Sequence, residues 1–179
     1  MRAAVVSFVG LRGYQGPLAS KPIEKTFPMP NAKPNRVPNG IAELRLILRR
    51  YPYWPEGHRL LAEACLKEGD IATAYASTHC FGALTTAATS AQQQLHFLMG
   101  RCYLRRGDAE RALCHLSLAE KYNRNYTPIF EEQAAAHMLL GDGLRALQIL
   151  ERVPQNKLSA EALVTRSYLR NSTAESKQG

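Results

Sequence analysis

From Ile41 onward, apolar and polar residues alternate with the period of an amphipathic helix. Leu44, Ile47 and Leu48 repeat at i, i+3, i+4; Leu95, Leu98, Met99 and Cys102 at i, i+3, i+4, i+7; Ala109, Ala112, Leu113 and Leu116 do the same. Eight helices are predicted, over about 41–51, 56–68, 70 to the mid-eighties, 92–106, 108–121, 128–140, 142–152 and 159–170. Asn39 is placed to cap the first helix. Pro52 and Pro55 stop it, and Pro154 stops the seventh.

The breaks repeat. Gly69-Asp70, Gly107-Asp108 and Gly141-Asp142 each divide two helices at spacings of 38 and 34 residues. Glycine takes the left-handed conformation that closes one helix, and aspartate accepts the free amides that open the next. Five residues after each glycine stands an alanine (Ala74, Ala112, Ala146), small enough for close helix approach. A helix–turn–helix period near 34 residues marks a repeat architecture.

On these residues, 39–170 resembles the tetratricopeptide repeat family, with three repeats, a degenerate preceding half-repeat over 41–51 and a final capping helix. In the middle unit Gly100, Tyr103, Gly107, Ala112 and Ala119 match the family pattern. In the first, Leu61, Ala62, Gly69 and Ala74 match, with Cys65 in the tyrosine slot and Phe81 in the late alanine slot. In the third, Phe130, Ala134, Gly141 and Ala146 match, with His137 and Val153 as the substitutes. The four additional residues between the first two units predict a lengthened helix near Thr85–Ala91. The resemblance implies an all-α, right-handed α-solenoid of antiparallel helix pairs. Helix 159–170, with Glu161, Arg166 and Arg170 outward, is the expected cap, followed by a disordered tail over 171–179.

Residues 1–38 differ in kind. Six of the ten prolines fall between positions 16 and 40, which favours an extended segment without a core of its own. Residues 1–40 carry six bases against one acid, whereas 41–179 carry 17 against 14, so most of the net charge of +8 lies in this arm. A basic arm on a near-balanced body suits contact with an acidic partner surface. Arg2 followed by the mostly apolar Ala3–Leu11 also leaves a mitochondrial or secretory leader open; otherwise the chain is expected in the cytoplasm.

Composition narrows the remaining chemistry. No apolar run reaches the roughly 20 residues of a membrane helix. The four cysteines, Cys65, Cys80, Cys102 and Cys114, form no CxxC pair and are expected as buried free thiols. No phosphate-binding GxxxxGK, GxSxG or HExxH motif occurs, so no catalytic, cofactor or metal residue is assigned. His58, His79, His96, His115 and His137 are expected to pack rather than ligate.

The resemblance implies that first helices line a concave groove. Carried over by phase, Arg59, Glu63 and Leu66 come from unit one, Phe97, Arg101 and Leu104 from unit two, and Glu131, Ala135 and Met138 from unit three. This mixture suits a peptide held by apolar pockets and flanking ion pairs. Glu63, Glu131 and Glu132 stand where the family's carboxylate clamp needs basic or asparagine residues, which disfavours acidic chaperone tails. The expected function is a non-enzymatic scaffold or adaptor that binds a protein or peptide partner, with the arm as a second contact; self-association is also possible for such stacks. The alternative is an RNA-binding helical repeat, suggested by Arg49-Arg50 and Arg105-Arg106.

Overall fold

The structure, a computed structural model, describes residues 40–85 and 88–175. Residues 1–38, where the arm is expected, and the capping position Asn39 lie outside the described residues, as do 86, 87 and 176–179. Eight α-helices occur among the described residues: α1 (Ile41–Arg50), α2 (Pro55–Glu68), α3 (Ile71–Leu84), α4 (Thr89–Arg105), α5 (Ala109–Tyr122), α6 (Pro128–Leu139), α7 (Gly143–Glu151) and α8 (Ala160–Glu175). One 3-10 turn, Gln155–Lys157, precedes α8. No strand occurs among the described residues.

The three Gly-Asp breaks share one geometry. Gly69, Gly107 and Gly141 take φ of +82°, +79° and +76°. The amides of Asp70, Asp108 and Asp142 donate back to the carbonyls of Cys65, Tyr103 and His137 at 2.9, 3.0 and 2.9 Å. Each aspartate carboxylate then accepts the amide three residues on, Thr73, Arg111 or Arg145, at 3.1 Å. One residue thus closes the helix behind it with its amide and opens the helix ahead with its side chain.

These turns fold α2 onto α3, α4 onto α5 and α6 onto α7, and each pair then packs on the next. First helices also meet across the repeat, α2 with α4 and α4 with α6. The core is correspondingly segmented. Leu44, Leu48, Leu61, Cys65, Leu66, Phe81, Leu98 and Cys102 form one cluster spanning α1 to α4. Leu116, Ala119 and Ile129 form a small middle one. Phe130, Ala134, Ala146, Leu150, Leu158, Ala162 and Leu169 form the last. Small residues set the spacing: Ala62, Ala74, Ala112, Ala119 and Ala146 are fully buried.

Four expectations need correction. The lengthened helix is α4, 17 residues long, but it starts at Thr89, and Thr85 caps the end of α3. α8 continues to Glu175, so residues 171–175 are helical rather than tail. Glu161 and Arg170 face outward as expected, but Arg166 is buried on the same face as Ala162 and Leu169, and the apolar Val164 and Tyr168 are exposed with the first two. The long aliphatic stem of arginine allows it to cover apolar surface, so charge alone misplaced it. Finally, only Cys65 and Cys102 are buried; Cys80 and Cys114 are exposed, and all four are free thiols.

At Gly100, α4 lies close against α5. A Cβ there would stand 2.7 Å from Leu116 Cγ and 3.3 Å from the Ala112 carbonyl oxygen. Leu116 is fully buried and has nowhere to retreat. Gly100→Ala is expected to lower stability by about 1–2 kcal/mol, overpacking outweighing the gain in helix propensity. Urea unfolding followed by circular dichroism measures this; an unchanged or raised midpoint would show that the two helices are not in hard contact at this point.

Candidate functional site

The first helices α2, α4 and α6 form one continuous face, and two recesses open on it. The smaller, of about 90 Å³, lies between α2 and α4 and is lined by Arg59, Glu63, Gln93, Gln94, Phe97, Leu98 and Tyr126. Pro55 at the first position of α2 pre-sets the helix start, so Glu56, Arg59 and Glu63 follow at i, i+3 and i+7 along one stripe. Arg59 is held by both carboxylates; its Nε donates to Glu56 Oε2 at 2.9 Å, and its guanidinium also pairs with Glu63. The hydrogen bond that Arg59 donates to Glu56 and the charge of Glu63 raise the guanidinium pKa further. The opposite wall is aromatic. Phe97 meets Tyr126 edge to face, ring centroids 5.2 Å apart, and the Arg101 guanidinium lies 5.7 Å from the Phe97 centroid. Burial, with Glu63 adding to it, pushes the Tyr126 hydroxyl pKa up.

Arg101 and Glu132 bridge α4 and α6. Arg101 Nε lies 2.9 Å from Glu132 Oε1, and both side chains are about four-fifths buried (18% and 22% exposed). The contact is close as an ion pair but misaligned as a hydrogen bond, so the buried Nε–H has no hydrogen-bond acceptor. Burial raises the Glu132 carboxyl above its ordinary value, while Arg101 and then Arg105 oppose that.

Beyond this pair lies the larger cleft, of about 470 Å³. Its floor is Ala134, Leu150 and Ala162. Its walls are Leu104 and Arg105 of α4, Glu131, Glu132, Ala135, Met138 and Leu139 of α6, and Ser159, Glu161 and Thr165 at the start of α8. Glu131 Oε1 accepts the Ser159 amide at 2.7 Å, which ties α6 to the α8 entrance. Met138 and Leu139 are 36% and 58% exposed, a large apolar area for a surface helix end.

The residues named from sequence divide accordingly. Arg59, Glu63 and Phe97 line the small recess, and Leu104, Glu131, Ala135 and Met138 line the cleft. Arg101 lies between them, committed to Glu132. Leu66 is a correction: at 2% exposure it packs in the core with Leu98 and Cys102 and offers no surface. Sequence reasoning missed Tyr126, which lies before α6 and outside helical phase, and at the α8 entrance Ser159, Glu161 and Thr165. Treating α8 as a plain cap hid its part in the cleft wall.

Aromatic residues that look scattered in sequence form a ladder outside both recesses. His79, Tyr75, Tyr103, His115, His96 and Tyr122 follow one another with centroid separations of 4.5, 5.8, 5.4, 5.3 and 6.0 Å. Arg106 covers the Tyr75 ring and Arg111 the Tyr103 ring. His96 and His115 face each other with Nδ1 atoms 3.1 Å apart. Since the ring centroids stand 5.3 Å apart, the two nitrogens point nearly head-on, the geometry of a shared proton rather than of two ligands converging on a metal. No group of three or more metal-ligating side chains gathers among the described residues.

No family model matches this chain, and no curated protein matches it significantly.

Two predictions follow from these contacts. Arg101→Met alone should cost on the order of 2–3 kcal/mol by leaving Glu132 buried and unpaired, and pairing it with Glu132→Leu should restore much of that. Chemical denaturation of the two single variants and the double gives the coupling; additive losses would mean that the pair contributes nothing beyond its parts. The second prediction concerns pH. Burial, aided by His115 for His96 and by His79 for His115, lowers both imidazole pKa values below the ordinary 6.5. Below about pH 6.5 the unfolded chain therefore binds more protons than the fold, and stability falls as pH drops towards 5. His115→Phe should flatten this slope in melting temperature against pH, and an unaltered slope would place the acid sensitivity elsewhere.

Proposed function

We propose that this chain is a non-enzymatic, tetratricopeptide-type interaction module: a right-handed solenoid that serves as a scaffold or adaptor by holding a peptide segment of a protein partner on the α2–α4–α6 face. The observation that carries this reading is the pair of recesses on one face. They combine apolar side chains, the half-buried Phe97 and the exposed Met138 and Leu139, with partly buried charges fixed in place by ion pairs. Apolar pockets anchor a segment, and pre-oriented charges select it without further ordering cost. The Gly-Asp period and the buried alanines support the family assignment. The basic, proline-rich composition of residues 1–38 supports their use as a second contact on the same partner. No helix among the described residues is long and apolar enough to cross a membrane.

The RNA-binding alternative draws less from the geometry. Stacking platforms need free ring faces, and the faces of Tyr75, Tyr103, His96 and His115 are taken up by one another and by Arg106 and Arg111.

A photo-reactive phenylalanine analogue placed at Ala135, exposed inside the cleft, should give protein adducts in native lysate. The same group at Ser117, exposed on α5 outside both recesses, should give few. Equal labelling at the two positions would remove the face from the account, and adducts to RNA at either position would favour the alternative.

A further inference from the structure

The large cleft is electrically uneven along its length. Glu132 stands with Arg101 and within the field of Arg105, so its charge is met. Glu131 and Glu161 are different. Glu131 takes one backbone amide on Oε1, and neither carboxylate has an ion-pair partner among the described residues. Both lie at the Ser159 end of the cleft, in a chain whose net charge is +8. The other end, where α6 finishes, carries the apolar side chains of Leu104, Met138 and the exposed Leu139, with Arg105 following Leu104 in the wall. Glu131 and Met138 are two helical turns apart on α6, a separation of about 10 Å.

This spacing constrains the guest. A β-strand puts same-side residues roughly 7 or 13 Å apart, at i+2 and i+4, and matches neither. Polyproline II returns to the same side every third residue with a rise of about 3.1 Å, giving about 9 Å. A helical guest would need two full turns to span the same distance, where polyproline II needs three residues.

Resting on the peptide-binding reading above, we propose that the cleft's ligand is a polyproline II segment of a protein partner with a lysine or arginine three positions from an aliphatic residue, the cation at Glu131 and Glu161 and the aliphatic side chain at Leu104, Met138 and Leu139. The acidic end supplies selection by charge, and the apolar end supplies anchoring. An acidic segment is rejected because it would meet two unpaired carboxylates.

The test uses the full-length chain and a fluorescein-labelled proline-rich peptide with lysine and leucine three positions apart, read by fluorescence anisotropy. Two comparison peptides replace the lysine with glutamate or the leucine with serine. The parent peptide should bind, and each replacement should weaken it about tenfold or more. Glu161→Lys, at an exposed position, should weaken the parent about tenfold and improve the glutamate peptide. Leu139→Ser should weaken the parent and leave the preference for lysine over glutamate in place.

Equal or better binding of the glutamate peptide, or indifference to Glu161→Lys, overturns the cationic assignment. If no probe binds while Ala135 cross-linking still captures protein, this ligand class is wrong and the interaction module stands. Loss of both signals rejects both readings.

Discussion

Everything in this fold depends on the Gly-Asp turn. A left-handed glycine lets the chain reverse within two residues, and the aspartate that follows serves two helices at once, its amide ending one and its carboxylate starting the other. Neither half of the device works alone. Without positive φ, the aspartate amide cannot reach back to Cys65, Tyr103 or His137. Without the carboxylate, the second helix begins with free donors. Because the device recurs at Gly69, Gly107 and Gly141, the same reversal is made three times, and the first helices α2, α4 and α6 are brought side by side.

Side-by-side first helices produce a surface that no single pair would have. Between α2 and α4 the approach leaves only a small recess, walled on one side by Phe97 and Tyr126. Between α4, α6 and α8 the gap is wider, because the third first helix is short and α8 enters from a 3-10 turn after Pro154. The Arg101–Glu132 pair divides the two spaces and fixes α4 against α6. Its residues act on a ligand only through position and charge, since both are largely consumed by each other.

Much of the fold was legible from periodicity and punctuation. Leu44 and Leu48, or Leu98 and Cys102, announce buried stripes, and each Gly-Asp marks a boundary to within a residue or two. The site was less legible, for definite reasons. Leu66 shares the phase of groove residues but sits where α2 meets α4, and phase cannot separate a groove wall from the seam beneath it. Arg166 reads as solvent-facing because its charge is visible in sequence and its stem is not. Tyr126 has no helical period to place it. The aromatic ladder is assembled from three helices, α3, α4 and α5, at separations along the chain that follow no motif.

The segmented core has a mechanical consequence. Leu44 through Cys102 form one cluster of buried side chains and Phe130 through Leu169 another, with Leu116, Ala119 and Ile129 between them, all within one compact unit. In such an arrangement the two ends can open separately, the α7–α8 end without loss of the first cluster. The large cleft is walled by α4 on one side of these middle residues and by α6, α7 and α8 on the other. A molecule seated there therefore bridges the two clusters, and occupancy at the surface and fraying of α8 become two readings of a single equilibrium.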